Sequence, residues 1–542
     1  MKTEAAHNFI RIIANYARLG LGLALGLLFV PFTLKWIGND GLGLIILLGA
    51  GSGLAGMFRE ITNRAAVREL AAAMHSGDED RFRTVFNSSL VVSALAAGIA
   101  TVLFIAVALA IPLLNIPAHL IPAGRILIAS QGAYLVIATL LSPIFNMLIV
   151  REHFVSYNLW SLLERCGLLI SAVLLAKVFK VTNVAQAIAW MGILCAALNL
   201  VTFLIPVVRL IASDPRLLPN FRFARRASVL EIFSTLKWYV VVETASSLHE
   251  RVGQFIVAHY FTSSVGSNVW GIALQFVSYV RQATQGVTFG LDSVAARLSK
   301  DGPGQLKALI HHSTRMHGLV AIPAGLTVFV LADPLIHLWI GTRIQNPDQM
   351  LPAIITTVKI MGLALTGRAI SDGWMMILYG AGHIRRYAPL VLMGGIANPV
   401  LSVLLIVLLP KFTSLPAPLS TTVPPQDNPL LLVPPLVFCA VFTAVHFFIL
   451  PAIAARCLSI RYRDLFIPLW RPAVASALSA PVLFFLPAFL SMRGVHSLLM
   501  LVTTGIVFAA IYGAAAGTLV LTATERERFV WSRIRRFTQR QA

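Results

Sequence analysis

Apolar runs of twenty or so residues, separated by short polar turns, recur along the whole chain. A run of this length matches the roughly 17 to 25 residues that a helix needs to cross the hydrocarbon layer. The pattern predicts spans at 12–36, 42–58, 88–113, 126–149, 157–179, 186–208, 230–260, 268–290, 315–332, 352–378, 388–410, 434–455, 472–491 and 498–522. They are expected to be helices, because lipid offers an unpaired backbone group no partner.

Composition supports this reading. The 542 residues are 57% hydrophobic and 12% charged, whereas about a quarter of a soluble chain is charged. The first apolar run follows Arg11 and Arg18 and lacks a small-residue cleavage site, so it is expected to stay in the protein and not to be a signal peptide. Cys166, Cys195, Cys439 and Cys457 fall in or beside spans without metal-ligand spacing, which predicts neither a metal site nor a disulfide framework. No P-loop or GxSxG motif is present, and no stretch is long enough for a soluble enzyme domain; the expectation is a protein without catalytic activity or cofactor.

The net charge of +21 raises the alternative of nucleic-acid binding, and the distribution of basic residues decides against it. With both termini cytoplasmic, Arg59, Arg81, Arg83, Arg151, Arg216, Arg222, Arg225, Arg226, Arg385, Arg386, Arg461 and Arg463 fall inside. Lys35, Arg125, Lys177, Lys180, Arg343, Lys411 and Arg493 remain outside, and the outer loop Lys411 to Pro435 is the most polar and proline-rich. This is the positive-inside asymmetry of a multi-pass protein of a bacterial inner membrane. The basic tail at 525–542 suits either an anionic lipid surface or plain solvation.

A weak internal repeat accompanies these spans. The turn at Ser76-Gly77-Asp78 corresponds to that at Asp301-Gly302, Ile111-Pro112-Leu113-Leu114 to Asp333-Pro334-Leu335-Ile336, and Arg151-Glu152-His153 to Gly382-His383-Ile384-Arg385. Repeats of this kind are common in transporters. They divide the chain into an N-terminal six-helix bundle at 1–215, a C-terminal six-helix bundle at 216–465, an extra transmembrane pair at 466–524 and the basic tail.

Charged groups inside a span cost roughly 2.5 to 3.5 kcal/mol each and demand a reason. In the seventh span Glu243, Ser247, Glu250 and Gln254 share one helix face, with Arg251 and Thr244 beside it. This stripe either lines an aqueous cavity or glues two helices together. Arg18 lies on a polar face of the first span, Arg165 shares a face with Asn158 and Ser161, and Arg281 flanks Gln275, Ser278, Gln282 and Gln285. Arg368 and Asp372, four residues apart, form either a self-neutralised pair or part of a site. Glu164, next to Arg165, is in a position to compensate it. An interior rich in arginine suits an anionic ligand such as a diphosphate, which guanidinium binds bidentately.

The segment Leu331-Ala332-Asp333-Pro334-Leu335-Ile336-His337-Leu338-Trp339-Ile340-Gly341 resembles the segment after the ninth span of polysaccharide-exporter flippases. Pro31-Phe32-Thr33-Leu34-Lys35-Trp36-Ile37-Gly38-Asn39-Asp40-Gly41-Leu42-Gly43-Leu44 is similar to that family's first outer turn, and Gly380-Ala381-Gly382-His383 through Asn398-Pro399 to a third segment. The resemblance is to the O-antigen and exopolysaccharide flippases of the multidrug/oligosaccharidyl-lipid/polysaccharide exporter superfamily. It implies an all-α polytopic membrane protein of about fourteen transmembrane helices, arranged as two six-helix bundles around a central cavity plus a C-terminal helix pair. The implied substrate is an undecaprenyl-diphosphate-linked oligosaccharide, and the implied partners are the bilayer, a polysaccharide polymerase and export machinery, with no nucleic acid. A drug or cation antiporter of the same superfamily, or a polytopic glycan ligase or polymerase, is the alternative.

Overall fold

The computed structural model describes residues 2–288, 290–299, 303–418 and 423–526, with the side chains of 2–19, 64, 65, 68, 235, 263, 303 and 524 left out. Arg18, the turn at Asp301-Gly302, and the tail from 527 therefore lie outside the description of side chains or of residues altogether.

Every regular element among the described residues is helical. The order is α1 (Lys2–His75), α2 (Glu79–Ala110), α3 (Ile121–Leu140), α4 (Ser142–Val150), α5 (Phe154–Val173), α6 (Val184–Ser213), α7 (Arg226–Tyr260), α8 (Ser263–Thr288) and α9 (Leu291–Leu298). It continues with α10 (Pro303–Ile340), α11 (Pro347–Gly380), α12 (Ile384–Phe412), α13 (Val433–Thr443), α14 (Leu450–Cys457), α15 (Tyr462–Phe466), α16 (Trp470–Met492), α17 (Ser497–Leu519) and α18 (Ala523–Arg526). Among the described residues, 11 helices are long and apolar enough to cross a membrane. The protein is thus an all-α polytopic membrane protein.

The first two expected spans are joined by a kink where the sequence predicts a loop. Gly38, at φ 69° and ψ −170°, breaks α1 in a conformation that a side chain resists. Asn39 fixes the break: its Nδ2 donates to the Gln345 carbonyl at 3.2 Å, its Oδ1 accepts from the Gln345 amide at 3.3 Å, and Asn268 Nδ2 donates to its carbonyl at 2.9 Å. At the other end of α1 the expected turn forms, with Gly77 at φ 71° and the Asp78 carboxylate capping α2 through the Arg81 amide.

The chain divides into two compact units. One comprises Met1–Leu274, Ile340–Ile354 and Ala388–Phe438; the other comprises Gln275–Trp339, Ile355–Tyr387 and Cys439–Ala542. The first packs around Phe82, Phe86, Phe145, Met147 and Phe203, with the rings of Phe145 and Phe203 stacked at 5.1 Å. Its close helix crossing occurs at Gly395, where a Cβ would stand 2.8 Å from the Ala245 carbonyl oxygen, so α12 lies directly against α7. The second unit contains a cluster of Leu331, Leu483, Met500, Leu501 and Phe508, and the buried Trp374, whose Nε1 donates to Thr314 Oγ1 at 2.7 Å.

Beyond the end of α6, Asp214 ties down its own loop. Its carboxylate accepts from Arg216 Nε and Nη2 at 2.8 and 2.9 Å and from Arg151 Nη2. The Arg216 hydrogen bonds, with the charges of Arg216 and Arg151, bring its pKa down to about 2, against about 3.9 for a free aspartate. A depressed carboxylate pKa stabilises the fold above the unfolded value and loses that contribution as pH falls through the folded one. Asp214→Asn is therefore expected to lower the melting temperature by a constant amount from pH 7 to about 4. The gap to wild type should then close as the pH approaches about 2. A gap that does not depend on pH would assign the loss to packing.

Candidate functional site

The polar stripe of α7 divides on close view. Gln254 is buried and donates its amide to the Ser267 carbonyl at 2.8 Å, so it joins α7 to the start of α8. Ser247 is buried, while Glu243 and Glu250 are half-buried. The backbone around them is locked by its neighbours: Trp270 Nε1 donates to the Glu250 carbonyl at 3.4 Å, and Asn398 Nδ2 to that of His249 at 3.1 Å. Asn398 belongs to the Asn398-Pro399 segment on which the family resemblance rests.

Arg251 behaves differently. Its guanidinium reaches the bare backbone of Gly53 in α1, so that a Cβ added at Gly53 would stand 1.5 Å from Nη1. It is half-buried, and among the described residues it has no carboxylate partner. A guanidinium held in a spanning helix without an anion is costly, and its fork is free for a bidentate ligand.

Arg165 is exposed on α5, with Nη1 3.1 Å from the Cβ position of Gly22. Glu164 does not compensate it. That carboxylate turns to Arg59 Nη1 at 2.7 Å and to the Tyr134 hydroxyl, while Arg59 stacks over Phe203 at 5.0 Å. Arg59, counted from sequence among the cytoplasmic charges, is thus held half-buried in a triad within the first unit, and Arg165 is left without a carboxylate among the described residues.

In the second unit the structure brings together Arg281, Arg368 and Asp372. Arg368 Nε meets Asp372 Oδ1 at 2.7 Å and Arg281 Nε meets Oδ2 at 3.0 Å, so two guanidiniums converge on one carboxylate. Arg368 Nη1 also donates to His446 Nε2 at 2.9 Å. Because guanidinium only donates, Nε2 accepts, the proton sits on Nδ1 and points to Ser371 Oγ at 2.7 Å, and the ring is neutral. His446 occupies a π-helical turn, Ala444–Ile449, whose extra residue rotates it onto α11. The Arg368 side chain is 5% exposed and that of Arg281 30%. The first is enclosed and the second is reachable.

Sequence reasoning missed Gly53, His446 and the Arg59–Glu164–Tyr134 triad. A histidine in an otherwise apolar span was a visible signal for the second. The others involve partners far apart in sequence. No group of three or more His, Cys, Asp or Glu residues that would hold a metal ion occurs among the described residues.

Among the described residues the chain is all helical, with helices long and apolar enough to cross a membrane and arginines inside them. The model of the family described as "Polysaccharide biosynthesis protein" matches residues 58–346, and the chain belongs to that family. Its fold is similar to that of the lipid II flippase MurJ in an inward closed conformation, with a TM-score of 0.65 at 11% identity over 94% of this chain and 98% of that one. It is also similar to an inward-facing multidrug resistance MATE transporter of the MOP superfamily, at a TM-score of 0.58 and 12% identity over 80% and 94% of the chains. The MATE multidrug transporter DinF-BH gives 0.59 at 10% identity over 84% and 95%. Among curated protein sequences none matches the chain.

Proposed function

We propose that the protein is a flippase that carries an undecaprenyl-diphosphate-linked oligosaccharide, an O-antigen or exopolysaccharide repeat unit, from the cytoplasmic to the periplasmic leaflet by alternating access. The observation that carries this reading is Arg251, a guanidinium seated on Gly53 inside the spanning region with no carboxylate among the described residues. Arg165 and the pair of arginines on Asp372 add to it. A cation or drug antiporter would need carboxylates free of basic neighbours, and the Asp372 carboxylate is held by two arginines. The family and the likeness to a lipid II flippase favour a lipid-linked glycan. Arg18, Arg165, Glu243, Glu250, Arg251 and Arg281 are the proposed substrate-contacting set; Gln254 and Arg368 are enclosed, and Asp372 holds Arg281 and Arg368 in place.

The kinked α1 supplies two spans, and α7 and α8, too polar to count among the 11 apolar helices, supply two more. This gives about fourteen spans with both termini cytoplasmic. Export of a diphosphate from a negative interior gains roughly 2.3 kcal/mol per charge per 100 mV.

The test is reconstitution in vesicles with a fluorescent polyprenyl-diphosphate sugar. Transfer between leaflets is expected, with no extrusion of a lipophilic cation dye. The hydrogen bond between Asn268, near the start of α8, and the Asn39 carbonyl, at the kink of α1, lies on the proposed outer side. Asn39→Cys with Asn268→Cys is therefore expected to stop transfer when oxidised and to restore it on reduction. Dye extrusion without lipid transfer would establish the antiporter instead.

A further inference from the structure

The second unit holds a cavity of ≈ 370 Å³ that includes none of the arginines discussed above and is lined by His311, His312, Arg315, Trp470 and Arg471 among others. It lies where α10 begins and α16 starts, beside the basic turn containing Arg461 and Arg463, which positive-inside topology assigns to the cytoplasmic surface. Its charges are not balanced. Arg315 is met by Glu525, which the reciprocal Thr522–Glu525 cap of α18 holds in place, with the Thr522 amide 2.8 Å from Oε2. Lys307 is met by Asp464 at 3.6 Å. Arg471 has only the face of Trp470, 5.4 Å away, and no carboxylate among the described residues. The buried Nε2 of His311 has no hydrogen-bond partner among the described residues.

The surface leading away from the cavity is apolar. Trp470, Val474, Leu478 and Phe485 follow at helical spacing on α16, with Leu478 63% and Phe485 73% exposed. A basic cavity at the start of a spanning helix, with an apolar helix face running from it, has the form of a site for a charged head and a hydrocarbon tail. A soluble anion would use only the first of these features.

We propose that this cavity binds the phosphoryl headgroup of a lipid in the cytoplasmic leaflet, with Arg471 as the charged anchor, His311 and His312 as further donors, and the tail along α16. The inference uses the topology above and gives the start of α16 a lipid-binding role. Two lipids carry the required chemistry, an anionic phospholipid and the polyprenyl diphosphate cargo itself.

The test is native mass spectrometry of the purified full-length protein with added phosphatidylglycerol, cardiolipin, phosphatidylcholine or geranylgeranyl diphosphate. Arg471→Gln, and separately His311→Gln with His312→Gln, are expected to weaken binding of the phosphoryl lipid about tenfold, with Arg471→Lys between them and wild type. Arg493→Gln is the control, because Arg493 stacks on Phe489 at 5.2 Å at the opposite end of the same helix. Loss confined to phosphatidylglycerol and cardiolipin identifies a membrane phospholipid; loss confined to the polyprenyl diphosphate identifies a cargo-docking site. Unchanged affinity for both in the variants, or an equal loss in Arg493→Gln, overturns the proposal. Since binding is read without transport, that failure leaves the flippase reading untouched.

Discussion

Replacing Arg251 by alanine is expected to abolish glycan export while leaving the amount of protein in the membrane near wild type. The guanidinium has no carboxylate among the described residues to leave behind, so its removal strands no buried charge. What is lost is a pair of charge-assisted hydrogen bonds to the diphosphate, each worth about 1.5 to 3 kcal/mol. Together they correspond to a fall of roughly a hundredfold or more. Lysine should rescue only in part, since it lacks the planar fork. Gly53→Ala approaches the same group from the other side. Its new Cβ meets the flexible end of Arg251, 1.5 Å from Nη1, so the side chain shifts at little cost to folding and the donors move off target. Export should fall in Gly53→Ala with the protein level unchanged. If Arg251 instead neutralises Glu250 or Glu243, Glu250→Gln combined with Arg251→Gln should restore export, and that restoration would refute the binding role.

The helices were legible because lipid removes every alternative: a long apolar run has one conformation available. The polar stripe of α7 was legible for the same reason, since helical spacing alone puts Glu243, Glu250 and Gln254 on one face. What each member does was not, because Gln254 spends its amide on a carbonyl contributed by the next helix. Spacing found Arg368 with Asp372 but gave no means to find Arg281 on the same carboxylate. Adjacency suggested Glu164 for Arg165, whereas neighbours along a helix point about 100° apart, and Glu164 reaches Arg59 on another helix instead. His446 was visible as a histidine in an apolar span, but its partners were not, because a π-helical turn shifts the facing of a residue that ideal helical spacing would place elsewhere.

In the second unit, the three charges on α8 and α11 are expected to separate into two phenotypes. Asp372→Asn removes the carboxylate on which Arg281 and Arg368 converge, and Arg368, 5% exposed, cannot turn to water. Breaking a buried pair this way costs about 3 to 5 kcal/mol, so a sharp fall in melting temperature and in membrane level should accompany any loss of export. Arg281→Gln leaves Arg368 with Asp372 at 2.7 Å and with His446 at 2.9 Å, and so leaves the enclosed half of the cluster intact. Arg281 is the reachable member, 30% exposed, and one charge-assisted bond to a phosphoryl oxygen is worth about 1.5 to 3 kcal/mol. Arg281→Gln should therefore lower export about 10- to 150-fold at a near-normal protein level and melting temperature. Equal thermal losses in the two variants would make Arg281 a structural counter-charge of Asp372 and remove it from the substrate site.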